Sequence, residues 1–254
     1  MPHTDLPQQI DSQPSSTPQA TEVQDASTKT RLRIRHTKRG DMRWISHRDL
    51  ARVWERLLRR AGLQLAFSQG FHPKPRISFP TALALGIEAL DEVVEMEVVG
   101  EVDLQSIEHL LRRELPLGME LLELQALESS LGKAKVLGAS YRIEHGLQAA
   151  SSATLESPQA SSKSTCENLD ELQQRITGIL AKPQVMLERD GKQVGCATEH
   201  PYFELKITGE CFTFSLPTLP QGSIRPSELL DHVGLGHLLE AGATLQRTAV
   251  HLLS

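Results

Sequence analysis

Three arginines at alternate positions, Arg31, Arg33 and Arg35, open a block of cations that continues through Lys38, Arg39 and Arg43 to Lys74 and Arg76. At a spacing of two such side chains line one face of a β-strand, and guanidinium forks in a row suit the phosphates of a polyanion. From Arg31 to Arg76 there are 13 Lys and Arg against Asp41, Asp49 and Glu55, a net charge of +10. The rest of the chain has 14 basic residues against 29 acidic ones, a net of −15. A basic block in an acidic protein points to an anionic partner at one end, and RNA is the partner expected.

The run Ser68-Gln69-Gly70-Phe71-His72-Pro73-Lys74-Pro75-Arg76 joins a flexible glycine and two rigid prolines to an aromatic ring, an imidazole and two cations. Such a loop presents backbone N–H groups and fixed charges to phosphate; the plainer alternative is a Pro-rich connector between strands. Among the histidines, His36, His47 and His72 have no ligand spacing, so no metal is expected. His47 and His72 are instead the candidates for general acid or base in phosphodiester cleavage. Cys166, Cys196 and Cys211 are odd in number and lack the short spacings of a zinc or iron–sulfur site. With no P-loop, nucleophile elbow or paired-carboxylate motif present, no cofactor is expected.

The elements that must carry these residues follow from periodicity. Arg31 to Arg35 alternates as a strand, Lys38-Arg39-Gly40-Asp41 reads as a turn, and Met42 to Ile45 as a short return strand. Leu50, Val53, Trp54, Leu57, Leu58 and Ala61 then recur at helical spacing, with Ser46 and Asp49 as the N-terminal cap and Gly62 at the C-terminal end. That helix carries Arg52, Arg56, Arg59 and Arg60 opposite its apolar stripe, where a solvated surface is the simpler reading. A strand at Leu63–Phe67, a strand at Val93–Val99, a helix capped by Asp103 and a strand at Met119–Leu127 complete a β-α-β-β-α-β order. The second half repeats it: strand Ala139–His145, helix Asn168–Ala181, strand Gln184–Arg189, hairpin Tyr202–Leu216, helix Pro226–Val233 and strand Thr244–Leu253.

The expected class is therefore α+β, as two tandem ferredoxin-like domains with antiparallel sheets. Their bounds are 30–130 for the basic domain and 138–254 for the second, which contains a low-complexity Ser/Ala loop at 149–167. Residues 1–29 read as a disordered tail with neither a secretory signal nor a transit peptide. No run approaches the roughly 20 apolar residues of a membrane helix, and a cytoplasmic location without a membrane partner is expected.

Between Arg31 and Val98 the blocks KRGDMRWISHRDL, RRAGL, SQGFHPKPRISF and ALGIE fall in order, and this stretch resembles the start of the radical SAM-linked protein family, a domain of unknown function. In many bacteria that domain is fused to, or encoded beside, a radical SAM protein with a cobalamin-binding region. Over the second half, the general layout and the terminal QRTAVHLL are similar. Members usually carry Asn-Pro-His-Pro after the SQGF block, where this chain has His72-Pro73-Lys74-Pro75. The resemblance implies a radical SAM partner, which would hold the iron–sulfur cluster, since this chain lacks a three-cysteine motif. A tandem ferredoxin-like layout with a basic first domain is also similar to the RNA-processing endoribonucleases of CRISPR systems, as an analogy of fold.

The function expected is an RNA-binding accessory protein, without activity of its own, that presents tRNA, rRNA or a precursor to a radical SAM enzyme. A metal-independent endoribonuclease using His47 or His72 is the first alternative, and a protein–protein adaptor is the second. The expected contacts to RNA are Arg31, Arg33, Arg35, Lys38, Arg39, Arg43, Gln69, Gly70, Phe71, His72, Lys74 and Arg76.

Overall fold

The computed structural model describes residues 29–128, 131–147 and 165–253. The expected tail, apart from Lys29, and most of the low-complexity loop lie outside the described residues. In the first half, strand β1 (Lys29–Lys38) leads through a 3-10 turn at Gly40–Trp44 into helix α1 (His47–Arg60). A two-residue strand β2 (Ile77–Ser78), the long strand β3 (Glu88–Val99), helix α2 (Leu104–Glu114) and strand β4 (Leu121–Leu127) follow. The second half runs β5 (Val136–Glu144), α3 (Leu169–Leu180), β6 (Gln184–Arg189), β7 (Lys192–Ala197), β8 (Glu204–Thr208), β9 (Cys211–Pro217), α4 (Pro226–Val233), α5 (Gly236–Glu240) and β10 (Gln246–Leu252).

The fold is mixed α+β. Its sheet has eight strands, mostly antiparallel, in the order β4-β1-β3-β10-β5-β9-β8, with β2 on β3. Alternation along β1 sends Leu32 and Ile34 into a core that they share with Leu50, Trp54, Leu57 and Leu58 of α1 and with Ile107 and Leu111 of α2. A second core joins Tyr141, Phe212 and Phe214 of the sheet to Leu172 and Ile176 of α3 and to Leu229 and Leu230 of α4. At the start of α1 the Ser46 hydroxyl accepts the Asp49 backbone N–H, and the Asp103 carboxylate does the same for Gln105 at α2, as their types lead one to expect.

Three expected elements differ. Met42–Ile45 is the end of a 3-10 turn and its cap, not a strand, because the Met42 and Ile45 N–H groups donate to the Arg39 and Met42 carbonyls, both at 3.2 Å, instead of to a neighbouring strand. Leu63–Phe67 forms only isolated bridges, Leu65 with Val98 and Phe67 with Pro75. Gln184–Arg189 pairs with β7 in a separate two-stranded sheet and not with the main one. Its turn is Asp190-Gly191, both with positive φ, the dipeptide that suits a two-residue hairpin.

The two halves meet where β3 and β10 run parallel, and the ladder between them has only two residue pairs, Gln246 with Glu88 and Arg247 with Ala89. Side chains of β3 extend the join. Asp91 accepts the Val250 backbone N–H at 2.9 Å, and Glu88 takes the Gln246 amide at 2.9 Å on one oxygen and the Gly40 N–H at 2.9 Å on the other. Glu92 forms an ion pair with Arg247, both side chains being shut off from solvent. Arg247 also donates to the Ala82 carbonyl at 3.3 Å.

Candidate nucleic-acid interface

The β1 arginines share the sheet face that the helices leave uncovered, but they are not free cations. Arg33 donates from Nε and a terminal nitrogen to Glu95 at 2.9 and 2.8 Å, and Arg31 pairs with the other oxygen of the same carboxylate. Arg35 bonds Asp91 at 2.6 Å and stands 3.7 Å from Glu123. Burial pushes the Glu95 carboxyl up, yet the hydrogen bonds from Arg31 and Arg33 outweigh it and hold the group below the usual carboxylate range. The arginines, whose own stretch of sequence has few acidic residues, are thus paired from a distance: Asp91 and Glu95 lie 56 to 64 residues along the chain and Glu123 lies further on, and all meet β1 only through strand pairing.

Other expected contacts are similarly committed. Lys38 is buried, its ammonium donating to the Ile45 carbonyl at 3.1 Å, so it has no place on an outer surface. Burial lowers its pKa, with Glu92 opposing and Arg247 reinforcing the shift. Arg43 sits 3.5 Å from Glu88 and 5.1 Å over the Trp44 ring, Arg39 lies 3.6 Å from Glu120, and Arg76 lies 3.2 Å from Glu97.

The Gly70 segment is a projecting hairpin. Phe67 bridges Pro75, the Ser68 N–H donates to the Lys74 carbonyl at 2.9 Å, and the Lys74 N–H donates to the Ser68 hydroxyl at 3.0 Å. The base is tied to β3 through Ala66, Arg76 and Glu97 backbone bonds. At the tip, Gly70 has φ +127°, a conformation that side-chain-bearing residues resist. Gln69, Phe71, His72 and Lys74 are all exposed, and Phe71 is wholly so.

Helix α1 carries a second row of arginines. Arg48, Arg52, Arg56 and Arg59 recur at i, i+4, i+8 and i+11 on its outer face, spanning about 16 Å at 1.5 Å per residue. Arg52 is engaged by Asp49 at 3.0 Å, whereas Arg48, Arg56 and Arg59 have no ion pair among the described residues. The helical spacing was visible in the sequence; what was not visible is that the strand arginines would be paired with carboxylates while Arg48, Arg56 and Arg59 would not.

His47 packs edge-on against Phe79, ring centroids 4.5 Å apart, while His72 sits on the hairpin and His36 is buried. Among the described residues no three His, Cys, Asp or Glu side chains are grouped to hold a metal, and no helix is long and apolar enough to cross a membrane. Sequence reasoning missed the polar seam of Glu88, Asp91, Glu92 and Arg247.

An α+β protein with a helical arginine row beside a projecting aromatic hairpin is what the fold and the site define. Residues 31–207 match the family described as an uncharacterized protein conserved in bacteria, DUF2344, and the chain belongs to that family. No curated protein matches the chain. Among solved structures, it is similar to an unknown protein from Galdieria sulphuraria, with 11% identity over 89% of this chain and 100% of that one and a TM-score of 0.26. It is also similar to a protein assigned as a glycine cleavage system transcriptional repressor, with 9% identity over 90% and 99% of the two chains and a TM-score of 0.24. Likenesses at these scores carry no argument.

Proposed function

We propose that this protein is an RNA-binding accessory protein that acts with a radical SAM enzyme in RNA modification or processing. The observation that carries the RNA reading is the row of Arg48, Arg56 and Arg59, exposed and without ion pairs among the described residues, next to a hairpin that offers Phe71, His72 and Lys74 to solvent. Guanidinium groups bind phosphate through charge-assisted, often bidentate hydrogen bonds, and exposed aromatic rings stack on unpaired bases. The strand arginines then serve the sheet, while α1 and the hairpin meet the RNA. The radical SAM partner rests on the resemblance of the Arg31–Val98 blocks, and a cytoplasmic location is part of the same reading.

We read each half as one ferredoxin-like unit of a tandem pair. In the first, β4-β1-β3 is followed by β2, and in the second the order is β10-β5-β9-β8; either is the fourth-first-third-second order of a β-α-β-β-α-β chain, with β6-β7 as an insertion in the second.

The test is a salt titration of affinity, by fluorescence anisotropy, for a short single-stranded RNA with wild type and with Arg48, Arg56 and Arg59 changed together to Gln. The variant should bind more weakly and lose roughly 0.7 from the slope of log affinity against log salt for each phosphate contact removed. Wild-type binding no tighter than to a neutral control at about 50 mM salt would refute RNA binding. Cleavage of the bound RNA in the presence of a chelator would overturn the accessory role in favour of a metal-independent ribonuclease.

A further inference from the structure

We infer that the cavity at the C-terminal end of α1 is a pocket for one unstacked guanine base of a bound RNA, an inference that rests on the RNA-binding reading above. The cavity, about 530 Å³, lies between the last turns of α1, the segment after Gly62 and the foot of the hairpin. That size falls within the roughly 300–1,000 Å³ of ligand clefts. Leu63, Phe67 and Pro75 give it apolar walls, and Phe67 is about half exposed, so it is accessible to a stacking base.

Its polar lining is Glu55, Arg59 and Gln64. Glu55 and Arg59 stand one helical turn apart, the spacing at which such residues ordinarily pair, yet no ion pair joins them. Elsewhere in the molecule that pairing is made, as Arg112 with Glu108 at 2.7 Å. A carboxylate that accepts and a guanidinium that donates therefore border the same cavity with hydrogen-bonding capacity to spare. Guanine matches both: its N1–H and N2–H groups offer two donors to a carboxylate, and its O6 and N7 offer two acceptors to an arginine fork. Adenine, which has no such donor pair on the edge next to an O6 acceptor, and the pyrimidines match less well.

Arg59 belongs both to the cavity and to the outer row of α1, so a backbone tracking Arg48, Arg52 and Arg56 arrives at the pocket. Unpaired bases, splayed from the strand and stacked on aromatic rings, are the usual way RNA sequence is read.

The experiment measures anisotropy with the full chain and four labelled pentanucleotides that are identical in backbone: U-rich RNA with G, A, U or an abasic ribose at the central position. G should bind about tenfold tighter than the abasic RNA, as expected for one bidentate base contact. Glu55→Gln and, separately, Phe67→Ala should bring the G-containing RNA down to the affinity of wild type for the abasic one, with melting temperatures confirming that both fold. If wild type binds all four RNAs equally well, the base pocket is refuted while RNA binding stands. Failure to bind any of them above a neutral control removes the pocket together with the RNA reading.

Discussion

The rings of His36 and Trp54 meet edge to face, with centroids 5.1 Å apart and planes inclined at 63°. His36 Nδ1 lies 2.9 Å from the Thr37 carbonyl, which can only accept, so that nitrogen carries the proton and Nε2 is bare. Nε2 and the Trp54 indole N–H are both buried without a hydrogen-bond partner, an acceptor and a donor on touching rings. Burial drives the His36 pKa from 6.5 down to about 4; the bond to Thr37 and the Asp91 charge oppose the shift, and Arg247 and Lys38 add to it.

A pH dependence follows from this. Between pH 6.5 and about 4 the unfolded chain binds a proton at His36 that the folded protein refuses. The contribution is complete above pH 6.5 and is lost as pH falls toward the folded value, a loss of about 3 kcal/mol for one group. Urea melts between pH 7.5 and 4.5 should show wild type weakening along this limb and His36→Phe weakening less steeply. Parallel curves for the two proteins would mean that His36 protonates freely in the folded state.

The Glu92–Arg247 pair gives a second prediction. Arg247→Met leaves a carboxylate shut off from solvent without its cation, and breaking a buried pair in this way costs about 3–5 kcal/mol. Removing both charges together, in Arg247→Met with Glu92→Leu, should recover most of the loss. Denaturant midpoints of the two variants decide the matter: a single variant within about 1 kcal/mol of wild type would show that Glu92 reaches water.

Reversal of Arg31, Arg33 and Arg35 to Glu sets three new carboxylates against Glu95, Asp91 and Glu123. A cost of at least about 3 kcal/mol is expected, or a melting temperature lower by roughly 6–12 °C for a domain of this size. Changing Arg48, Arg56 and Arg59 to Gln should shift the melting temperature far less, since exposed unpaired cations on a helix are usually within about 0.5 kcal/mol of neutral each. Differential scanning calorimetry of the two triple variants separates the arginines that hold the sheet from those free to bind. Equal melting temperatures would contradict the cross-strand pairing.

Local signals made α1 legible: its apolar stripe, the Ser46 cap and the glycine after its last turn all lie within one window of sequence, and the helix runs His47–Arg60 as those signals require. The same is true of the loop, whose Gly70 takes the positive φ that a glycine permits. What was illegible depends on distance along the chain. Glu92 and Arg247 are 155 residues apart and Arg33 and Glu95 are 62 apart, so neither neutralisation has any trace in composition or periodicity. The β6-β7 hairpin was missed for a different reason. Its Asp190-Gly191 turn was in plain view, but the β-α-β-β-α-β template had no vacancy for it.

In the middle of the sheet, β10 lies between β3 and β5, yet among the described strands it is the last along the chain. On a ribosome, both of its neighbours emerge before it and wait with unsatisfied edges, each a surface on which a second nascent chain could add a strand. Assembly is therefore completed from the inside, by a closing strand of seven residues. The burial of Arg247 against Glu92 acts as a latch at that final step, and a chain cut short before Gln246 would present two sticky edges to the cell instead of one finished sheet.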